Sequence, residues 1–270
     1  MNTKAHDFFF EHKIFRLEAF IASMNKSAAI CNTMLNQHLK SGNIVRIKNG
    51  LYASIPPGAD PNQYPIDPYA IISCLSKDSV VSYHAALQFH GLSYSLHFQH
   101  TFQSKESIRE FQFRDDRFKA VKYSKALLKS DPFIFVDEID HHGFMVRVSS
   151  VERTLVDVLD KINLSGGLEE VWRSLEAIQT IQAERVVEYA LLLDNATTIS
   201  KVGFFLQSKQ KELKIPEACL DSLKQKLPKS VHYFDRKTRA SGKYSKEWKI
   251  VIPDELVGKQ WEDIFDLGDL

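Results

Sequence analysis

No run of about 18 consecutive apolar residues occurs in the sequence, so no membrane-spanning helix is expected, and no membrane partner is expected. The opening "MNTKAHDFFFEHK" carries polar residues where a signal peptide needs an apolar stretch, so a cytoplasmic protein is expected. Cysteine is scarce: three in 270 residues. Cys31, Cys74 and Cys219 are scattered and form no C-x-x-C pair. That excludes a zinc module and a disulfide framework and fits a reducing compartment. Net charge is only +1, too little for a general polyanion binder. No internal repeat of about 20–50 residues is present. Ser82 lacks a G-x-S-x-G context, and the "SGG" at Ser165–Gly167 lacks the Lys-Ser/Thr of a phosphate loop. No cofactor and no metal site is expected.

What is there is a globular composition. Hydrophobic residues make up 44% and charged residues 26%, enough for one large core or two ordinary ones. The charge is unevenly placed. Residues 1–54 carry seven Lys/Arg against three Asp/Glu, and residues 222–250 carry nine against two. The tail from Asp254 carries six acids against Lys259. Two basic surfaces and an acidic end follow.

The first segment reads as three helices and a hairpin. The pattern predicts helices over Thr3–Glu11, Phe15–Met24 (with Phe15, Ala19 and Phe20 on its apolar side) and Ala28–Lys40. Ser27 is the N-cap of the third and Gly42 its stop. Ile30, Met34, Leu35 and Leu39 form the predicted apolar face. Asn49-Gly50 predicts a type I′ turn. That register sets Lys48 against Leu51, Ile47 against Tyr52 and Arg46 against Ala53. Ile47 and Tyr52 then face inward, while Arg46 and Lys48 face outward. "SIPPGADPNQYPIDP", with five prolines in 15 residues, reads as a linker. The expected organisation is therefore residues 1–55, a linker at 56–66, and a second domain at 67–270.

In the second domain Asp67 caps a helix beginning at Pro68. A further helix spans Tyr83–His90, with Ser82 as its N-cap. Strands are predicted from about Thr101 to Val148, with His141, His142 and Gly143 in the last turn. Ser149 and Glu152 read as a capping box. The helix that follows has an apolar stripe of Val151, Leu155, Val158, Leu159 and Ile162, with Arg153 and Asp157 paired on its exposed side. Helices continue at about 168–177, 183–193, 199–211 and 216–226, before a strand at 248–252.

Two helices and a basic two-stranded wing make the layout of a winged helix-turn-helix. Its third helix offers Lys26, Ser27, Asn32, Thr33 and Gln37 to base edges and phosphates, and the wing offers Arg46 and Lys48. The alternative for this module is a winged helix used for protein contacts, or a small helical cap. A second nucleic-acid surface is drawn on Arg236, Lys237, Arg239, Lys243 and Lys246, which are interleaved with aromatic residues. "DEIDHH" resembles a metal motif. Neighbours in a strand point to opposite faces, however, so it reads as a solvated hairpin tip. An enzymatic alternative is a metal-dependent nuclease using Asp116, Glu138 and Lys122, which requires the three to converge. In a third alternative, an adaptor, the acidic tail from Asp254 docks a basic partner.

"GNIVRIKNGLYA", "VVSYHAALQFHGL", "VRVSSVERTLVDVLD", "KVGFFLQ" and "GKYSKEWKIVIP", in that order over about residues 15–253, resemble the AbiEi antitoxin family of transcriptional regulators. The resemblance implies an α+β protein with an N-terminal winged helix-turn-helix and a mixed α/β C-terminal antitoxin domain. It implies no enzymatic activity. It implies a repressor that binds inverted repeats in its own promoter, with cooperative self-association on DNA. It also implies a type IV toxin–antitoxin system acting in phage defence. There the partner is a nucleotidyltransferase-like toxin, countered without a stable complex. The recognition helix then falls on Ser27–Lys40 and the wing on Ile44–Ala53.

Overall fold

The computed structural model of the chain describes residues 3–235 and 242–258. The class is α+β, as the sequence predicts. The first elements are α1 (Thr3–Glu11), β1 (Ile14–Arg16), α2 (Leu17–Met24), α3 (Ala28–Lys40), β2 (Ile44–Lys48), β3 (Leu51–Ser54) and α4 (Pro68–Ser73). Then come β4 (Val80–Val81), α5 (His84–Phe89), β5 (Gln99–Gln103), β6 (Phe111–Phe113), β7 (Asp116–Val121), α6 (Lys125–Lys129), β8 (Val136–His141) and β9 (Phe144–Ser149). The remainder is α7 (Val151–Asp160), α8 (Leu168–Glu176), α9 (Ala183–Leu193), α10 (Ala196–Ser208), α11 (Glu217–Lys224), β10 (His232–Tyr233), β11 (Lys243–Ser245), β12 (Ile250–Ile252) and α12 (Asp254–Gly258). No helix among the described residues is long and apolar enough to cross a membrane.

Two compact units divide the chain. One comprises Met1–Val81, Phe98–Lys122 and Glu138–Arg147, and the other Ser82–His97, Tyr123–Asp137 and Val148–Leu270. The division differs from a cut at residues 56–66. The proline-rich stretch lies inside the first unit, where Arg114 donates to the carbonyls of Tyr64 (2.6 Å) and Pro61 (2.7 Å). Its stiffness serves packing within that unit.

In the first unit, α3 has the bounds its caps predict: Ser27 accepts from the Ile30 amide and Gly42 leaves the helix at φ 73°. α2 starts later than its pattern predicts. Ile14–Arg16 instead pairs antiparallel with β3, setting Phe15 opposite Tyr52 in a sheet of order β1-β3-β2. The gain is an aromatic core. Phe8, Phe9, Phe15 and Phe20 gather with Met24, Cys31, Leu35, Ile44 and Tyr52, and Phe8 meets Phe15 and Phe20 edge-on at 5.1 and 5.3 Å. Cys31, not Ile30, faces this core, and Ile30 is half exposed.

The hairpin register also departs from the expected one. Lys48 opposes Leu51, but a bulge sets Arg46 against Tyr52 and Val45 against Ala53. Only Gly50 of the two turn residues has positive φ (77°), so the turn is not type I′. The extra residue is Ile47, which is buried, as is Leu51 on the partner strand. A bulge lets one strand bury side chains that strict alternation would turn outward.

The larger sheet has the order β6-β7-β5-β4-β9-β8, with β5 and β7 parallel and β4–β5 and β6–β7 antiparallel. The β8–β9 turn is His142-Gly143, with φ 56° and 86°. Positive φ at both positions is what a type I′ hairpin needs. Asp67 caps α4, accepting from the Tyr69 and Ala70 amides.

In the second unit, α7 is buried on every side from Glu152 to Leu159 and packs against α9 and α10. Its N-cap is Ser150, which accepts from the Arg153 amide. Ser149 instead bonds Thr154, so the S-x-x-E capping box does not form. The N-cap of α5 is likewise Tyr83 rather than Ser82. Arg153 and Asp157 are not on an exposed side; both are buried. β10, β12 and β11 form a small sheet, and the Trp248 ring just before β12 lies against Gly203 of α10.

Candidate nucleic-acid interface

The outward face of α3 is polar because its inward face is held by Cys31 and Leu35. Lys26, Ser27, Asn32, Thr33 and Gln37 are all exposed. Thr33 and Gln37 lie one turn apart on one side of the helix, with Asn32 about 100° round from Thr33 and one turn from the exposed Asn36. Two of them have local duties. Ser27 caps the helix, and the Thr33 hydroxyl donates to the Ala29 carbonyl at 3.1 Å. Asn32 and Gln37 present amides suited to adenine edges.

The two wing cations behave differently. Arg46 is exposed, and the bulge turns it toward α3. Its guanidinium donates to the Asn36 side-chain oxygen at 3.4 Å and lies 5.7 Å from the Tyr52 ring. Helix and hairpin are thereby joined on one polar surface. Lys48 does not stand outward. Its ammonium sits 4.8 Å from the Phe111 ring, and burial, followed by the nearby Arg16 charge, pulls its pKa down. It lines a small cleft with Arg16, Arg109, Glu18 and Glu106, where opposite charges are already present. The sequence-level alternation treats the two side chains as equivalent; the bulge and the cover from β6 separate them.

Of the second basic surface, Lys243 and Lys246 are exposed, while Arg236, Lys237 and Arg239 lie outside the described residues. One cation of the basic stretch is paired: Lys224 meets Glu247 at 2.9 Å and Glu217 at 3.6 Å. The acidic tail beyond Gly258 also lies outside the described residues.

The nuclease arrangement does not assemble. Asp116 opens β7 and Lys122 follows its last residue, so about 20 Å of extended chain separates them. Each group is engaged elsewhere. Asp116 pairs with His100 at 2.7 Å, Glu138 with Arg147 at 2.7 Å, and Lys122 donates to the Lys105 carbonyl.

No protein-family model and no curated protein matches the chain. Solved structures share its fold. The crystal structure of the RV2827C protein from Mycobacterium tuberculosis matches with a TM-score of 0.65, over 92% of this chain and 90% of that chain, at 13% identity.

The sequence reading missed one grouping and set aside the histidine pair of another as a solvated hairpin tip. In the second unit, Glu170 accepts from His84, the Ser95 amide and hydroxyl, and the Ser174 hydroxyl. The His97 ring stacks on His84 at 3.8 Å. The donors hold the Glu170 carboxyl below its ordinary pKa despite burial, whereas burial lowers that of His84. In the first unit, Asp67, His141 and His142 bring ligand atoms within 4.8 Å of one another. Strand alternation does not separate the two histidines, because His142 sits in the turn with positive φ. An H-H-G triplet at a predicted turn is the signal that could have found it.

Proposed function

We propose that the chain is a DNA-binding transcriptional repressor that also serves as the antitoxin of a type IV toxin–antitoxin system. In this reading residues 1–55 form a winged helix-turn-helix. α3 enters the major groove of operator DNA carrying inverted repeats, and the β2–β3 hairpin is the wing. The observation that carries it is the set of exposed polar side chains on α3, Asn32, Thr33, Asn36 and Gln37, to which Arg46 of the hairpin is joined through Asn36. Asn32 and Gln37 read bases; Lys26, Ser27, Thr33 and Arg46 hold phosphates. Lys48, drawn against Phe111, contributes little.

The antitoxin part rests on the resemblance of the five motifs to the AbiEi family. Its partner is a nucleotidyltransferase-like toxin, countered without a stable complex.

The test is a mobility-shift titration of DNA from upstream of the gene against a shuffled duplex, at several salt concentrations. Preference for the upstream fragment is expected. Arg46→Ala should flatten the dependence of log K on log salt by about 0.9. Equal affinity for both duplexes refutes the repressor. Failure of co-expression to rescue growth from the adjacent toxin gene refutes the antitoxin separately.

A further inference from the structure

The β8–β9 hairpin carries two adjacent imidazoles at its corner, and its turn geometry brings them together. His141 ends β8, and His142 follows at φ 56°. Their rings lie 4.4 Å apart, inclined at 58°. On an ion with metal–nitrogen bonds of about 2.1 Å, two neighbouring imidazoles have ring centres roughly 4.5–5.3 Å apart, the upper end being the tetrahedral one. A shift of under an ångström therefore suffices.

The third group is already positioned. One carboxylate oxygen of Asp67 accepts from the amides of Tyr69 and Ala70. The other lies 2.7 Å from His141 Nε2. Backbone bonds thus orient the carboxylate, and the Tyr69 ring meets His141 edge-on at 5.6 Å, fixing the imidazole as supporting residues do around metal ligands. The three groups border a cleft of about 560 Å³ lined also by Lys13, Ile14, Ser54 and Phe144. That leaves coordination positions open to water or a small ligand.

We propose that Asp67, His141 and His142 bind one divalent transition-metal ion of the zinc, cobalt or nickel class. Two imidazoles and one carboxylate suit these borderline ions better than calcium or magnesium, which take oxygen ligands. The ion takes the place of the close contact between His141 and Asp67. It cross-links the start of α4 to the β8–β9 hairpin, and so stabilises the first unit. The Glu170 trio is a poorer host: its carboxylate oxygens are already saturated with donors, and its imidazoles lie face to face.

The test uses the full chain, stripped with EDTA and titrated with Co²⁺ and Zn²⁺. Visible cobalt absorption and isothermal titration give stoichiometry, and thermal melts give stability. One ion per chain is expected, with a midpoint rise of about 5–10 °C at a hundredfold excess over Kd. His142→Asn suits the positive-φ turn but removes the imidazole, and should weaken binding at least tenfold without moving the metal-free midpoint. His141→Gln should also weaken binding at least tenfold, whereas His97→Gln should leave binding unchanged. Absence of binding at 100-fold molar excess overturns the proposal. So does equal binding by wild type and both hairpin variants, or loss confined to His97→Gln.

Discussion

Arg153→Met should cost about 3–5 kcal/mol of stability at pH 8, because it strands a buried carboxylate without its cation. Arg153 is 0% and Asp157 4% exposed. The guanidinium lies 3.5 Å from Asp157 and donates to the carbonyls of Pro132 (2.9 Å) and Ile134 (2.8 Å). Tyr189 donates to the same carboxylate at 2.8 Å. Methionine keeps the stem and loses every donor. Burial pushes the Asp157 carboxyl up to about 6, against the attraction of Arg153. An unfolded aspartate titrates near 3.9, so between about 4 and 6 the native state holds the extra proton. Wild-type stability from this group therefore rises as pH falls through about 6. At pH 5 the carboxyl is mostly neutral with or without Arg153, and only the carbonyl bonds and packing are lost. The cost should thus be smaller at pH 5 than at pH 8. Arg153→Met with Asp157→Leu should be less destabilised than the two singles summed, by about 0.5–3 kcal/mol. Urea unfolding followed by tryptophan fluorescence reads this, since Trp172 and Trp248 are buried in the same unit. A single-variant cost below about 1 kcal/mol, or one equal at both pH values, refutes the reasoning.

Gly203→Ala should lower the thermal midpoint, since its Cβ would fall 2.0–2.5 Å from ring carbons of Trp248. Overpacking of this kind costs about 1–3 kcal/mol, and a melt unchanged within 1 °C would contradict it. Glu170→Ala strands the donors of Ser95, Ser174 and His84; a loss of about 2–4 kcal/mol is expected by denaturant titration. A loss under about 1 kcal/mol would show that the network is not structural. Lys48→Ala should change the salt slope of DNA binding by far less than Arg46→Ala; equal effects in anisotropy titrations would return Lys48 to the interface.

Local signals were legible. Ser27, Gly42 and Asp67 mark helix ends through bonds made within a few residues, and the structure keeps those ends. The β8–β9 turn was legible for the same reason. Features decided by distant packing were not. The bulge at Ile47 follows from burial of both faces of a small sheet, so Arg46 and Lys48 part company although two positions apart. α7 shows a stripe in sequence, but other helices cover its polar side too, which puts Arg153 and Asp157 inside. The candidate interface was legible on α3, where exposure follows from periodicity, and only half legible on the hairpin. The Asp67–His141–His142 grouping depends on a left-handed residue that strand alternation does not foresee.

The most direct measurement is fluorescence anisotropy of labelled upstream and shuffled duplexes with wild type, Asn32→Ala/Gln37→Ala and Arg46→Ala. Loss of the two amides should collapse discrimination between the duplexes, since each base contact is worth about 1–3 kcal/mol. Arg46→Ala should weaken both duplexes alike and flatten the salt slope by about 0.9. Discrimination that survives the amide variant, or a salt slope that survives Arg46→Ala, would contradict an α3-and-wing interface with DNA.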